Sequence, residues 1–244
     1  MCGRQRVRAA RHGVGELRAH VGRAVRKNFV LNLRLVDPST FLCIGAHADD
    51  IEIGCGGTVT QWAADYPKAR FIWAVFSGNQ VRIAETRAAS QALLGSGARV
   101  EFRLHEFRDA FFPGHYSEVK EAVGKLRREF SPDVVLTHFE KDRHQDHRLL
   151  SELTANAFRD HLVLEYEVPK YDGDLGNPNV YVPLPESVAR KKVESLLACF
   201  ASQADHEWFT AETFLALMRL RGIECRAPSG FAEAFHARKL VVGS

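Results

Sequence analysis

The chain has no apolar run approaching the roughly 20 residues of a membrane-spanning helix, so no transmembrane segment is expected. Residues 1–27 also lack the continuous apolar stretch of roughly 7 to 15 residues found in a signal peptide, and a cytoplasmic location is expected. The five cysteines, Cys2, Cys43, Cys55, Cys199 and Cys225, are odd in number and form no C-x-x-C pair, which argues against a disulfide framework. Cys43, Cys55 and Cys199 instead read as small packing residues. Gly54, Gly56 and Gly57 lack the G-x-G-x-x-G order of a dinucleotide loop, so their use is close backbone approach at a helix start. Internal repeats and low-complexity segments are also missing.

Charge is present, but unevenly spread. The net charge is +3 over 244 residues, yet residues 1–27 hold eight Lys or Arg and one Glu, leaving 25 basic against 29 acidic residues in the remainder. The basicity belongs to a tail, read as an exposed N-terminal extension over 1–30, and no nucleic-acid partner is expected from it. Residues 31–244 read as a single domain, since the length and the 45% hydrophobic content suit one substantial core.

Apolar runs of strand length recur at Phe41–Ala46, Phe71–Phe76, Val100–Leu104, Val134–Thr137 and Leu162–Tyr166. They are continuous rather than alternating, as in strands buried on both faces. Helical patterns fall between them at about Gly57–Tyr66, Ile83–Leu94, Ser117–Phe130 and Asp146–Arg159. This order predicts an α/β fold with a Rossmann-like, doubly wound, mostly parallel sheet and right-handed crossovers. Turns and short extended pieces follow Tyr166, then amphipathic helices near Glu186–Phe200 and Thr210–Arg221, and this C-terminal third reads as a cap on the sheet.

Two polar clusters directly follow apolar runs. The first is Gly45-Ala46-His47-Ala48-Asp49-Asp50-Ile51-Glu52-Ile53-Gly54; the second is His138-Phe139-Glu140-Lys141-Asp142-Arg143-His144-Gln145-Asp146-His147. Strand ends are where doubly wound proteins keep their chemistry. Plain helix-capping would explain one cluster, but two at the ends of strands in one sheet point to a divided metal site. A catalytic zinc takes three protein ligands from His nitrogen and Asp or Glu oxygen and leaves one position open. His47 and Asp50, spaced i, i+3, are candidate ligands from one turn, with Asp49 pointing elsewhere and free to act as a base. His144 and His147 share that spacing, so one imidazole suits the metal and the other the substrate, with Asp146 or Asp142 as an orienting carboxylate. His138, ending a strand, reads as a packing or supporting residue.

These residues carry a resemblance. Ala46 to Gly54, followed by Gly56-Gly57-Thr58, resembles the first signature of the PIG-L/LmbE family of zinc-dependent de-N-acetylases, and Thr137-His138 through Asp142-Arg143-His144-Gln145-Asp146-His147-Arg148 resembles the second. The likeness runs from about Phe41 to Arg159, and Ala48 stands where many members have proline. It implies an LmbE-like fold with zinc held by His47, Asp50 and His147, Asp49 as general base, and His144 as acid or oxyanion partner supported by Asp146. For substrate contacts it implies Arg82 or Arg87 after the second strand and Asp109 after the third. Glu165, Glu167 and Tyr171 are weaker candidates, equally readable as a solvated strand edge.

The expected activity is removal of an acetyl group from an N-acetylated amino sugar in a glycoconjugate, nucleotide sugar or natural-product intermediate. Zn2+ is the expected metal, with Fe2+ or Co2+ compatible with the same ligands. The partner is this small-molecule substrate, and a homo-oligomer is compatible with the chain. The rival within enzymes is a hydrolase of another amide, of the thiol-conjugate amidase type. The rival from another class is a non-catalytic sugar-binding module, whose mark would be a missing ligand or base, and none is missing.

Overall fold

The computed structural model describes residues 33–241, so the basic extension over 1–30 lies outside the described residues. The five expected runs form strands β1 (Thr40–His47), β2 (Arg70–Ser77), β3 (Arg99–Leu104), β4 (Val134–His138) and β5 (Leu162–Tyr166). With β6 (Val180–Leu184) and β7 (Phe231–Ala237) they make one seven-stranded sheet in the order β3-β2-β1-β4-β5-β7-β6. β1 to β5 pair in parallel, and β7 runs antiparallel between β5 and β6.

Every residue of β1 is buried, which is why its sequence is an unbroken apolar run. Leu42, Ile44 and Ala46 face a layer made by Val119, Val123 and Leu126 of α3 (Tyr116–Glu129) and Leu149, Leu150 and Leu153 of α4 (Gln145–Ala157). Phe41, one residue out of phase, stacks instead on Phe71 and on Trp62 of α1 (Asp50–Asp65). On that face α1, α2 (Gln80–Leu94) and α5 (Glu186–Cys199) pack on one another. Each large apolar side chain buried here contributes about 1.5–3 kcal/mol. Strand order reverses between β1 and β4, the neighbours at whose ends the two polar clusters lie.

The C-terminal third is built into the sheet as well as over it. β6 and β7 extend the strand order, α5 joins the layer of α1 and α2, and α6 (Ala211–Glu224) packs on β7. β7 has no counterpart in the expected strands. Its sequence, Phe-Ala-Glu-Ala-Phe-His-Ala, breaks the apolar signal with Glu233, which is nevertheless 4% exposed. The explanation is Lys192 of α5, whose ammonium lies 2.6 Å from the Glu233 carboxylate.

α1 starts at Asp50, ahead of the expected Gly57, and Glu233 marks the expected start as a break inside the helix. Two helical segments meet at Cys55 (φ −142°, ψ 15°), and Glu233 accepts the N–H groups of Gly57 at 2.8 Å and Thr58 at 2.6 Å. The second segment therefore has an anionic acceptor at its own N-terminus. Glycine is required on both sides of the break by close approach. A Cβ on Gly54 would sit 2.1 Å from the Tyr166 ring, and one on Gly57 would sit 2.5 Å from Leu184.

Glu233→Ala leaves Lys192 buried without a counter-ion and the Gly57 and Thr58 donors without an acceptor. It should cost about 3–5 kcal/mol in urea unfolding, and a loss below about 1 kcal/mol would contradict the role given to this pair. Asp133, at the start of β4, accepts from the backbone N–H groups of Ser39 and Thr40 and from the Ser39 hydroxyl. Burial pushes its carboxyl up, but these donors outweigh burial and hold it below the usual carboxylate range. Its folded pKa is thus lower than its unfolded one, so its contribution is present above roughly pH 4 and is lost as pH falls through the folded value. The stability gap between wild type and Asp133→Asn should accordingly shrink between pH 7 and pH 3, and a gap constant across that range would refute the assignment.

Candidate active site

β1 ends at His47, and the chain turns at Asp49 with φ 121°, a region that non-glycine residues rarely adopt. This turn sends two adjacent carboxylates to different partners. Asp50 folds back so that its Oδ2 accepts the His47 N–H at 2.6 Å. Asp49 lies instead 3.0 Å from the Arg82 guanidinium, which also donates to the Ala48 carbonyl. Arg82 is itself fixed near the start of α2, where the Asn79 side chain caps the helix by accepting the Arg82 backbone N–H.

The second cluster comes to the same place from β4. Its loop is shaped by Asp142, whose Oδ1 accepts the His144 N–H at 2.8 Å and whose Oδ2 lies 2.9 Å from His147 Nδ1. That contact fixes a proton on Nδ1 and leaves the Nε2 lone pair of His147 facing the first cluster. His147 Nε2 lies 3.1 Å from His47 Nδ1 and 3.5 Å from Asp50 Oδ1, and His47 Nδ1 lies 3.4 Å from Asp50 Oδ2. On its other side His47 Nε2 meets Asp109 at 3.0 Å and Asp146 at 3.2 Å. Both imidazoles thus have an outer nitrogen on a carboxylate and an inner nitrogen beside Asp50.

Two inward nitrogens and a carboxylate at such separations call for a cation. The donors around a tetrahedral metal with bonds of about 2.0–2.2 Å stand about 3.3–3.6 Å apart; the two imidazole nitrogens are slightly closer than that, at 3.1 Å, and each lies at such a distance from one oxygen of Asp50, His47 Nδ1 from Oδ2 at 3.4 Å and His147 Nε2 from Oδ1 at 3.5 Å. The residues fit a divalent metal. Among the described residues, overlapping groups able to hold one are His47–His144–His147, His47–Asp109–His144–Asp146 and Asp50–His138–His147. His138 suits ligation poorly, because its Nε2 already accepts the Ala46 N–H at 2.8 Å and its ring stacks on His147 at 3.9 Å.

Electrostatics mark the same cluster. Burial works against the charge on Asp50, but His147, His138 and His47 outweigh it and hold that carboxyl well below its usual range. Burial, helped by His138, pushes His147 down to about 4. For His47 burial is outweighed by Asp109, Asp146 and Asp50, and its imidazole is raised well above the ordinary range. Asp49 is pushed up by burial, against the pull of Arg82, to about 7.

Several expectations are corrected. Asp146 does not orient the His144 ring: its oxygens accept the backbone N–H groups of Ala110 at 2.7 Å and Phe112 at 3.0 Å, pinning the loop that carries Asp109. Asp142 serves His147, and His144 Nδ1 has no hydrogen-bond partner. Of the two arginines, Arg82 reaches the site, whereas Arg87 lies over the Phe102 ring of β3 at 4.3 Å. Glu85, on the same helix as both arginines, accepts from Ser202. Glu165 and Glu167 are buried against Arg238 and Arg221, while Tyr171 is exposed. Sequence reading also missed Lys170, which lies 2.9 Å from Asp142; an isolated lysine in a turn-rich segment offers no signal.

Fold and site together define an α/β protein whose donors converge on a cation position beside a separate carboxylate. Residues 42–158 match the PIG-L family, described as GlcNAc-PI de-N-acetylase. Solved structures agree on the fold. The N,N'-diacetylchitobiose deacetylase from Pyrococcus horikoshii is 18% identical, with a TM-score of 0.64 over 82% of this chain and 84% of its own. The zinc-inhibited form of the teicoplanin deacetylase Orf2 is 16% identical, with a TM-score of 0.61 over 82% of this chain and 97% of its own. GalB, the 4-carboxy-2-hydroxymuconate hydratase from Pseudomonas putida KT2440, is 20% identical, with a TM-score of 0.64 over 84% of this chain and 98% of its own. The family supports a hydrolase, while GalB shows that the fold alone does not dictate the reaction.

The geometry separates the two arginines functionally. Arg82→Met should lower amide-hydrolase kcat by about 100-fold, the scale on which a misplaced reacting group slows an enzyme. Arg87→Met should stay within about twofold and lose at most about 1 kcal/mol of stability. Steady-state kinetics of the two variants would refute the distinction if both, or neither, were impaired.

Proposed function

We propose that the protein is a metal-dependent deacetylase that hydrolyses the acetamide of an N-acetylated amino sugar in a glycoconjugate, nucleotide sugar or natural-product intermediate. The observation that carries the proposal is the split between adjacent carboxylates, with Asp50 beside the inward nitrogens of His47 and His147 and Asp49 outside that set on Arg82. A site needing only a bound ion has no use for the second carboxylate; a hydrolytic site needs a base there. Zn2+ suits this donor set best, and Fe2+ or Co2+ would be accepted by the same residues.

In this reading His47, Asp50 and His147 hold the metal. When bound, the metal supplies Lewis acidity that polarises a carbonyl and makes water nucleophilic near neutral pH. Asp49 accepts the proton of the attacking water as the new C–O bond forms, and Arg82 fixes the direction in which its carboxylate faces. His144, half-buried at the start of α4 with an unpartnered Nδ1, donates a hydrogen bond to the amide oxygen and then gives its proton to the nitrogen as the C–N bond breaks, and the proton that Asp49 took from water restores it. Acetate and a free amine leave. Asp109, 60% exposed in its side chain and held in place through the Asp146 contacts, stands at the mouth to take sugar hydroxyls.

Release of amine from a panel of N-acetylglucosamine conjugates and nucleotide sugars tests the proposal. Zinc-loaded wild type should turn over at least one member. Asp49→Asn should lose roughly 10²–10⁴ in kcat while keeping its zinc, the usual size of a general-base contribution, and His147→Ala should lose zinc. No release by a zinc-bound wild type, or unchanged rates in Asp49→Asn, would overturn it.

A further inference from the structure

The Asp142 carboxylate that fixes His147 is itself held from behind. Lys170 Nζ lies 2.9 Å from Asp142 Oδ2, the oxygen that also faces His147 Nδ1. It lies 2.6 Å from Asp174 Oδ2, which in turn accepts the Arg143 N–H at 2.6 Å. The three side chains are 11%, 3% and 6% exposed for Lys170, Asp142 and Asp174, so the chain of contacts runs through the interior. It also joins two loops distant in sequence: Asp142 follows β4, and Lys170 and Asp174 follow β5.

A carboxylate behind an imidazole orients the ring only as well as the carboxylate is itself held. Lys170 holds Asp142 Oδ2 from the side away from His147, and Asp174 gives the same ammonium a second carboxylate partner. Lys170 is thus placed to keep the Asp142 oxygen aimed at Nδ1.

We propose that Lys170 is a positioning residue for the metal centre: acting through Asp142, it sets the orientation of His147 and so the affinity of the site for its metal. The inference rests on the reading of His147 as a ligand, and nothing in the PIG-L signatures includes Lys170.

The test is a double-mutant cycle read in zinc affinity, measured by competition with a chromophoric chelator on the full chain. Lys170→Met should weaken zinc binding about tenfold and Asp142→Asn by about 10- to 100-fold, the range for residues that orient metal ligands. The double variant should bind no more weakly than Asp142→Asn alone, because Lys170 has no other route to the metal. Lys170→Arg should lie nearer wild type than Lys170→Met. If Lys170→Met folds poorly, Lys170→Gln and Asp174→Asn carry the same cycle, and loss of cooperative melting in all three would make the clamp structural and overturn the proposal. Additive losses, or binding by Lys170→Met within twofold of wild type, would overturn it as well. Wild type without zinc affinity, or His147→Ala binding as tightly as wild type, would instead overturn the ligand reading and this inference with it, so the two failures are distinguishable.

Discussion

The Asp50 carboxylate is the group on which the rest of the structure depends. One oxygen takes the backbone N–H of His47 and lies within 3.4 Å of ring nitrogens of His47 and His138; the other lies 3.5 Å from His147. Such a buried concentration of donors is costly unless each member has a partner. Around Asp50 the cost is met in layers. Asp142 and Asp146 take the outward imidazole nitrogens, the backbone N–H groups of His144 and Phe112 donate to their other oxygens and that of Ala110 shares the Asp146 oxygen facing His47, and Lys170 and Asp174 close the ring. The inward nitrogens of His47 and His147 then face the Asp50 carboxylate.

The fold supplies what the cluster requires. Parallel strands β1 and β4 lie side by side where strand order reverses, so two loops almost a hundred residues apart are held on one sheet edge. The C-terminal third then ties that arrangement together with buried charge pairs. Glu233 with Lys192 closes the break in α1 a short distance after Asp50, Glu167 with Arg221 anchors α6 beyond β5, and Arg238 reaches Glu165 on β5 itself. Buried pairs of this kind add little net stability, but removing one partner is expensive, which favours a single arrangement of the segments they join.

Much of this was legible in the sequence. The five parallel strands were readable because strands buried on both faces must be continuously apolar, and the two clusters because polar groups immediately after such runs fall at strand ends. The divergence of Asp49 from Asp50 followed from their positions at i+2 and i+3 from His47. What was hidden depends on contacts between distant residues. Glu233 in β7 looks polar until Lys192 is placed beside it, and the start of α1 looks glycine-rich and loop-like until Glu233 caps Gly57 and Thr58. Spacing within the second signature could not assign Asp142 to His147 and Asp146 to the Ala110 and Phe112 backbone, because the latter belongs to a loop more than thirty residues earlier. The choice between Arg82 and Arg87 turned on which face of α2 meets β3, a matter of packing rather than pattern.

The most direct test of the account is X-ray absorption at the zinc edge of the zinc-loaded protein, which counts imidazoles among the metal's neighbours. Two imidazoles with carboxylate oxygen at about 2.0–2.2 Å and no sulfur are the expected neighbours. A centre with three imidazoles would transfer His144 or His138 into the ligand set and contradict the division of labour between Asp50 and Asp49, and a sulfur neighbour would place the metal elsewhere in the protein.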